Sequence, residues 1–435
     1  MDAGGTPAVR RRPVTVSARP RILFLSQCLP YPPHSGVASR TFNVLKQLQD
    51  DFDVTLLAFS RRNHQVDSGA RRAAVQELAK LGITVLAAVP IPNERSKTRR
   101  IWDHGRSVVS GRPYTFFEYA DGAFGRALRR ELSCTKPDLI HFDTLDLYRW
   151  LPGLPDVPVT CTHHSIESEL LRHRARHIGS PPLRRYLSLQ ADLIERVERR
   201  LPSKFTLNVM MSEVDGRRLE ALAPGSSTAV IPNGTDTEFF TPAADDCSVP
   251  GRVTFLGPTY MFPNRDAIDY FLSAAWPRIR AADGSASFHL IGKSPDGDRS
   301  RYGAEPGVTA LGYVPDIRPH MWQARCCVVP LRVGGGTRLK ILDAWAMGKA
   351  VVSTSIGCEG LDVVDGENIL IRDTPGEFAD AVLQVLSDVQ LRKRLEHGGR
   401  ATAVDTYSWG AVGKKLCAHY ARLLRSTNAA AACVS

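Results

Sequence analysis

CCVVPLRVGGGTRLKILDAWAMGKAVVSTSIGCEGL, residues 326–361, decides how the rest of the chain is read. An apolar strand run ends at Leu331, and a glycine loop follows at Gly334-Gly335-Gly336. Helical spacing then runs from Thr337 to Met347, and Gly348 stops it before the next apolar run. Strand, glycine turn and helix start, in that order, place free first-turn amides at the carboxyl edge of a parallel sheet. Such amides, with the helix dipole behind them, bind anionic oxygens. Glycines there let a phosphate approach the backbone closely. Lys340 and Asp343 are three positions apart and share one helix face. A Lys at this point can reach a diphosphate, and a carboxylate about one turn further can accept hydrogen bonds from ribose hydroxyls. An i,i+3 ion pair beside a tight loop is the plain structural alternative.

The same alternation extends in both directions. Near-continuous apolar runs lie at 21–27, 53–60, 83–90, 138–144, 157–164, 205–212 and 227–234. Others lie at 252–257, 287–292, 308–313, 326–331, 350–354 and 368–371. Continuous runs of this length read as strands buried on both faces, and helical spacing between them reads as parallel βαβ units. That is more strands than the ~10 an open twisted sheet holds. The Pro- and acid-rich stretch 237–252 marks the break. The expected architecture is α/β, with two doubly wound Rossmann-like domains facing across a cleft. The expected bounds are a disordered basic tail (1–20), a first domain (21–240) and a second domain (241–405). A terminal helix (406–426) packing back toward the first domain and a short tail (427–435) complete the chain.

The 435 residues are 43% hydrophobic and 23% charged, ordinary globular values. No run approaches the ~18 apolar residues of a membrane-spanning helix. The basic N-terminus lacks the apolar core of a secretory signal. Nine scattered Cys without a CxxC pair read as reduced thiols, so a cytoplasmic location is expected. Residues 1–200 hold 31 Lys and Arg against 20 Asp and Glu, whereas residues 201–435 hold 25 of each. The whole excess charge therefore sits in the first half, which points to an anionic partner there or to an arginine-rich surface. Within 94–117, Arg95, Lys97, Arg99, Arg100, Arg106 and Arg112 interleave with Ile101, Trp102, Tyr114, Phe116 and Phe117. That composition suits an anionic membrane surface, with the protein peripheral on the cytoplasmic face. No RNA-binding fingerprint occurs, so no nucleic-acid partner is expected. The triplets Asp51-Phe52-Asp53 and Asp296-Gly297-Asp298 read as turns, and no metal site is expected.

Residues 326–361 resemble the nucleotide-sugar signature of family 4 of the retaining glycosyltransferases, which have the GT-B fold. That family carries two glutamates eight positions apart, the second in a sequence like LEAMAxGxPVV. Here the second reads LDAWAMGKAVV, so Asp343 matches it one methylene shorter, and the first falls on Gly335. The branch reading GGGTRLKILEA shares that difference. The resemblance covers about residues 21–425. LPYPPHSGVASRTFNVLKQL (29–48) is similar to the loop that closes over donor phosphates, with Gly36-Val37 in place of a glycine pair. THHSIESELLRHRA (162–175) looks like the THHNIES-type segment, and AVIPNGTDTEFFTP (229–242) like the IPNGVD segment leading to a hinge.

The resemblance implies a metal-independent, retaining transfer of sugar from a nucleotide diphosphate sugar to a glycan or lipid-linked acceptor, in envelope, exopolysaccharide or lipid-linked glycan synthesis. The donor is a substrate, and no cofactor is implied. His164, Lys340 and Arg338 are the expected catalytic residues. Gly36, Gly335, Gly336, Thr337, Asp343, Arg265 and Lys293 are the expected donor contacts, and Glu167 and Arg40 the acceptor contacts. His163 reads as a satisfied structural histidine. Two other classes stay open at this point: a sugar-nucleotide epimerase on the same fold, and a non-catalytic binding protein.

Overall fold

The computed structural model describes residues 19–33, 35–333 and 338–432. Seven parallel strands form the first sheet, β1 (Arg21–Ser26), β2 (Asp53–Ser60), β3 (Thr84–Pro90), β4 (Leu139–Phe142), β5 (Val159–His163), β6 (Leu207–Met210) and β7 (Thr228–Val230). Their order is β3-β2-β1-β4-β5-β6-β7. Six form the second, β8 (Arg252–Leu256), β9 (Ser287–Ile291), β10 (Val308–Gly312), β11 (Cys326–Val329), β12 (Val351–Ser353) and β13 (Leu370–Ile371). Their order is β10-β9-β8-β11-β12-β13. Each sheet reverses direction of winding once, between β1 and β4 and between β8 and β11. In doubly wound sheets ligands bind outside the carboxyl ends of the strands at such a point.

Burial on both faces explains the unbroken apolar runs. In β1, Ile22 and Phe24 enter one core cluster while Leu23 and Leu25 enter another on the opposite face. The first cluster is closed by the helix Gly36–Leu48 and by a chain segment from beyond the second domain. The terminal helix Trp409–Ala432 lays Trp409, Val412, Leu416 and Tyr420 into it. Tyr420 also hydrogen-bonds His141 Nδ1 of β4 at 2.8 Å. The second sheet has its own core around Phe255, Phe271, Phe288, Trp345 and Phe378.

Four local readings are corrected. The helix after the glycine loop spans Leu339–Ala346, not Thr337–Met347, because Arg338 adopts φ −84°, ψ 73°, outside the helical region. Asp296-Gly297-Asp298 is not a turn. It opens the helix Asp296–Gly303, where acids suit the first turn. The terminal helix is longer than its apolar pattern implied. In the basic-aromatic stretch, Phe117 is buried and Tyr114 and Phe116 are half-buried, so those three rings pack inward instead of facing out.

Tyr420→Ala should cost about 3–5 kcal/mol, as large aromatic truncations in cores do. Urea unfolding should show that loss in the transition that reports the first domain, to which Tyr420 belongs by packing.

Candidate functional site

At the first sheet's winding reversal, Ser26 ends β1 and Asp143 follows β4. Asp143 is buried, and its carboxylate accepts hydrogen bonds from Ser26 Oγ at 2.8 Å and Thr41 Oγ1 at 2.7 Å. Burial dominates nonetheless and pushes its pKa up to about 7. His164 follows β5 and donates from Nε2 to the backbone carbonyl of Asp143 at 2.8 Å. A carbonyl only accepts, so the proton sits on Nε2 and Nδ1 keeps its lone pair. Burial, then the charge of Arg40, lowers the His164 pKa to about 3, so the ring is neutral at physiological pH. His163 pairs through Nε2 with Asn208 Oδ1 at 2.9 Å.

A cavity beside His164 is lined by Pro113, Thr115, Thr144, Asp146, Ser165, Glu167 and Glu198. Glu167 opens the helix Glu167–His177 and accepts from Ser165 Oγ at 2.7 Å. Burial raises the pKa of Asp146, Glu167 and Glu198 alike, and for Glu167 the neighbouring charge of Asp146 adds to it. The cavity thus gathers three carboxyl groups whose burial favours the protonated form more than water does.

Arg40 does not belong with them. It is 2% exposed, and its guanidinium donates to the carbonyls of Ile231 (2.9 Å) and Pro232 (2.7 Å) and to Asn233 Oδ1 (3.1 Å). It straps the Gly36–Leu48 helix to the segment entering the hinge, and so the expected acceptor role is corrected to a structural one.

At the second sheet's reversal, Lys340 lies under the loop that follows β8. Its Nζ donates to Asn264 Oδ1 at 2.7 Å and sits 4.1 Å from the Phe255 ring centroid. Asn264 Nδ2 in turn donates to Pro258 O at 2.9 Å. A Cβ on Gly257 (φ +156°) would stand 2.9 Å from Lys340 Nζ, so only glycine admits the lysine here. Burial, then Arg338, lowers the Lys340 pKa to about 7. Arg338 donates to Ile356 O at 3.1 Å, and burial lowers its pKa against the partial offset of Glu359.

Asp343 accepts from Thr235 Oγ1 of the hinge at 2.8 Å, and burial raises its carboxyl to about 7. Arg265 is held by Asp298 at 2.9 Å, and the same carboxylate takes Thr259 Oγ1 at 2.6 Å. Lys293 is exposed at the end of β9. Gly335, Gly336 and Thr337 lie outside the described residues. The two halves meet where Gly36, first in its helix, stands 3.7 Å from Leu339 Cδ1 when given a Cβ. Arg218 closes another contact with Glu359 at 3.1 Å.

Asp143, Asn264, Thr235, Asp146 and Glu198 were not found by sequence reasoning. A signal existed for Asp143, which ends the strand run DLIHFDT next to the reversal. Asn264, in PNRDAI, carries none.

Two family models match in tandem. Glycosyltransferase Family 4 covers residues 72–239, and Glycosyl transferases group 1 covers 250–388. Each half of the chain thus matches a glycosyltransferase family model. The phosphatidyl-myo-inositol mannosyltransferases of Mycobacterium tuberculosis and Mycobacterium bovis are each 27% identical to it over 249 residues, 54% of this chain. The chain spans 64% of the length of these curated relatives. Among solved structures, HepE of Anabaena in complex with UDP superposes with a TM-score of 0.62 at 16% identity, over 92% of this chain and 100% of that one. Sucrose-phosphate synthase of Thermosynechococcus elongatus gives 0.66 at 16%, over 94% and 100%. Both likenesses show the fold of this chain, a GT-B architecture.

The raised pKa of Asp343 has a signed consequence for stability. The folded state holds its proton more tightly than the unfolded chain, so the contribution is full below about pH 4 and is lost as pH rises through about 7. Asp343→Asn keeps an acceptor for Thr235 and cannot ionise. Its stability relative to the native chain should climb between pH 4 and 7 and then level off. Chemical denaturation across that range checks this, and a flat difference contradicts it.

Proposed function

We propose that the chain moves a glycosyl group from a nucleoside diphosphate sugar to an acceptor hydroxyl, with retention and without a metal. One observation carries the reading. The winding reversals of the two sheets face each other at the Gly36–Leu339 approach, with a buried lysine on one side and a neutral histidine with carboxyl groups on the other. The mannosyltransferase relatives support a sugar donor, and the UDP-glucose complex of HepE supports a nucleoside diphosphate carrier.

The leaving diphosphate gathers negative charge as the glycosidic bond breaks. Lys340, Arg338 and the first-turn amides of the Leu339–Ala346 helix are the groups placed to stabilise it. Lys340 starts with a pKa depressed to about 7. A bound diphosphate favours its charged form, so the donor itself draws a proton onto the lysine. Asp343, one turn along, takes ribose hydroxyls with the oxygen that Thr235 leaves open. Through Nδ1, His164 accepts a hydrogen bond from a hydroxyl of the donor sugar and holds the anomeric carbon toward the acceptor. The Asp146, Glu167 and Glu198 cavity orients an acceptor hydroxyl, whose oxygen attacks the anomeric carbon from the face the diphosphate leaves while its proton passes to the departing diphosphate oxygen. No protein nucleophile is needed. We assign the activity to envelope, exopolysaccharide or lipid-linked glycan synthesis at the cytoplasmic membrane face.

Incubation with a panel of nucleotide sugars and glycan or lipid acceptors should yield glycosylated acceptor and free nucleoside diphosphate, in excess EDTA as well. Epimerised donor with no released diphosphate would favour the isomerase class. Lys340→Ala should lower turnover ~10²-fold or more, the usual scale for one transition-state charge. Asp343→Ala should mainly weaken donor affinity, by about 1 kcal/mol for a lost hydrogen bond to a hydroxyl. Native kinetics in both variants would remove the donor-site assignment.

A further inference from the structure

The helix Lys97–Ser110 wears its apolar residues on the outside. Its inner face is set by Asp103 and Ser107, both buried. Diametrically opposite on a 100° wheel lie Ile101 (71% exposed), Trp102 (67%), Val108 (50%) and Val109 (90%). Single exposed apolar side chains need no explanation, whereas an aligned stripe with a Trp does. Among the described residues nothing covers it.

Beside the stripe runs a cleft lined by Arg99, Arg106, Arg129, Arg149, Asp121 and Trp150. Ring faces fix two of these guanidinium groups in place. Arg106 stacks 4.5 Å over Phe117, and Arg149 4.5 Å over Phe116. Stacking pins the planes and leaves N–H edges for an anion. The local acids are already engaged. Asp103 pairs with Arg99 at 2.9 Å and Arg106 at 3.6 Å, and Asp121 caps the next helix through the amides of Ala123 and Phe124.

We propose that the first domain docks on an anionic lipid bilayer, with the Ile101/Trp102/Val108/Val109 stripe entering the headgroup–acyl boundary and the arginine cleft taking lipid phosphate. Charge selects this occupant. A second copy of the chain would oppose like-charged clefts. Residues 1–18 carry Arg10, Arg11 and Arg12 against Asp2, the same sign as the surface. A bilayer supplies apolar depth and negative charge together. The helix is capped by Gly111, and Pro113 and Thr115 just beyond it line the His164–Glu167 cavity. Docking on this helix would therefore hold that cavity near the lipid surface and a lipid-linked acceptor. That consequence rests on the transfer reading, while docking itself needs neither donor nor turnover.

Co-sedimentation of the full chain with phosphatidylcholine vesicles, with and without phosphatidylglycerol, tests the proposal. We expect binding to the anionic vesicles, release by salt, and quenching of Trp102 by brominated acyl chains. The doubly substituted Trp102→Ser/Val109→Ser and Lys97→Gln/Arg100→Gln proteins should each bind about tenfold less or weaker still. These side chains are exposed, so thermal unfolding should match the native chain. Equal binding to neutral vesicles, no binding at low salt, or native binding in both variants would overturn it. So would self-association of the native chain that Trp102→Ser/Val109→Ser abolishes, since that gives the stripe to a second copy. Vesicle binding without any glycosyl transfer would leave the docking proposal standing and remove the transfer reading.

Discussion

A lysine without a carboxylate partner organises the second domain. Among the described residues no acid lies within ion-pair distance of Lys340 Nζ. Its neighbours are the Asn264 amide oxygen and the face of Phe255. Holding a cation in such a niche is costly, and the niche lowers the pKa instead of neutralising the charge with an acid. Gly257 is needed to admit the ammonium group, Asn264 is needed to orient it, and Pro258 O is needed to orient Asn264. The site thus stores an unmet demand for negative charge, at the edge where a parallel sheet already favours anions.

The first domain answers with the opposite strategy. Burial raises the pKa of its site acids and lowers that of His163 and His164, so each charged form is disfavoured there. Arg40 makes this arrangement rigid. It joins the Gly36–Leu48 helix to the carbonyls of Ile231 and Pro232, four and three residues before the Thr235–Asp343 contact. The 231–235 segment, the Asp343 carboxylate and the Gly36–Leu48 helix are therefore mechanically linked through one buried guanidinium. Buried charged hydrogen bonds are worth about 1.5–3 kcal/mol each, enough to keep the strap closed.

The strands and their grouping into two sheets were readable from the sequence because burial on both faces leaves unbroken apolar runs. The position of the helix Leu339–Ala346 was readable to within two residues, and its start was misplaced because glycine spacing does not encode the dihedral angles of Arg338. Lys340, Asp343 and His164 could be named from motif and strand-end position. What each touches could not. Asn264 and Thr235 come from segments 76 and 108 residues away from their partners, and such pairings arise only when the sheets pack. Arg40 shows the converse error. An Arg in a glycine-containing loop looks like a ligand contact, yet the carbonyls that bind it belong to β7's exit, which no local pattern reveals. In residues 94–117 composition located a surface, and the helical phase decided which side chains it shows.

Titration of Lys340 by ¹³Cε NMR, assigned with Lys340→Arg and repeated with UDP bound, tests the account most directly. The account predicts a midpoint near 7 in the free protein and a clear upward shift when the diphosphate is present. An ordinary lysine midpoint of about 10.4 in the free protein, or one that UDP leaves unmoved, would contradict it.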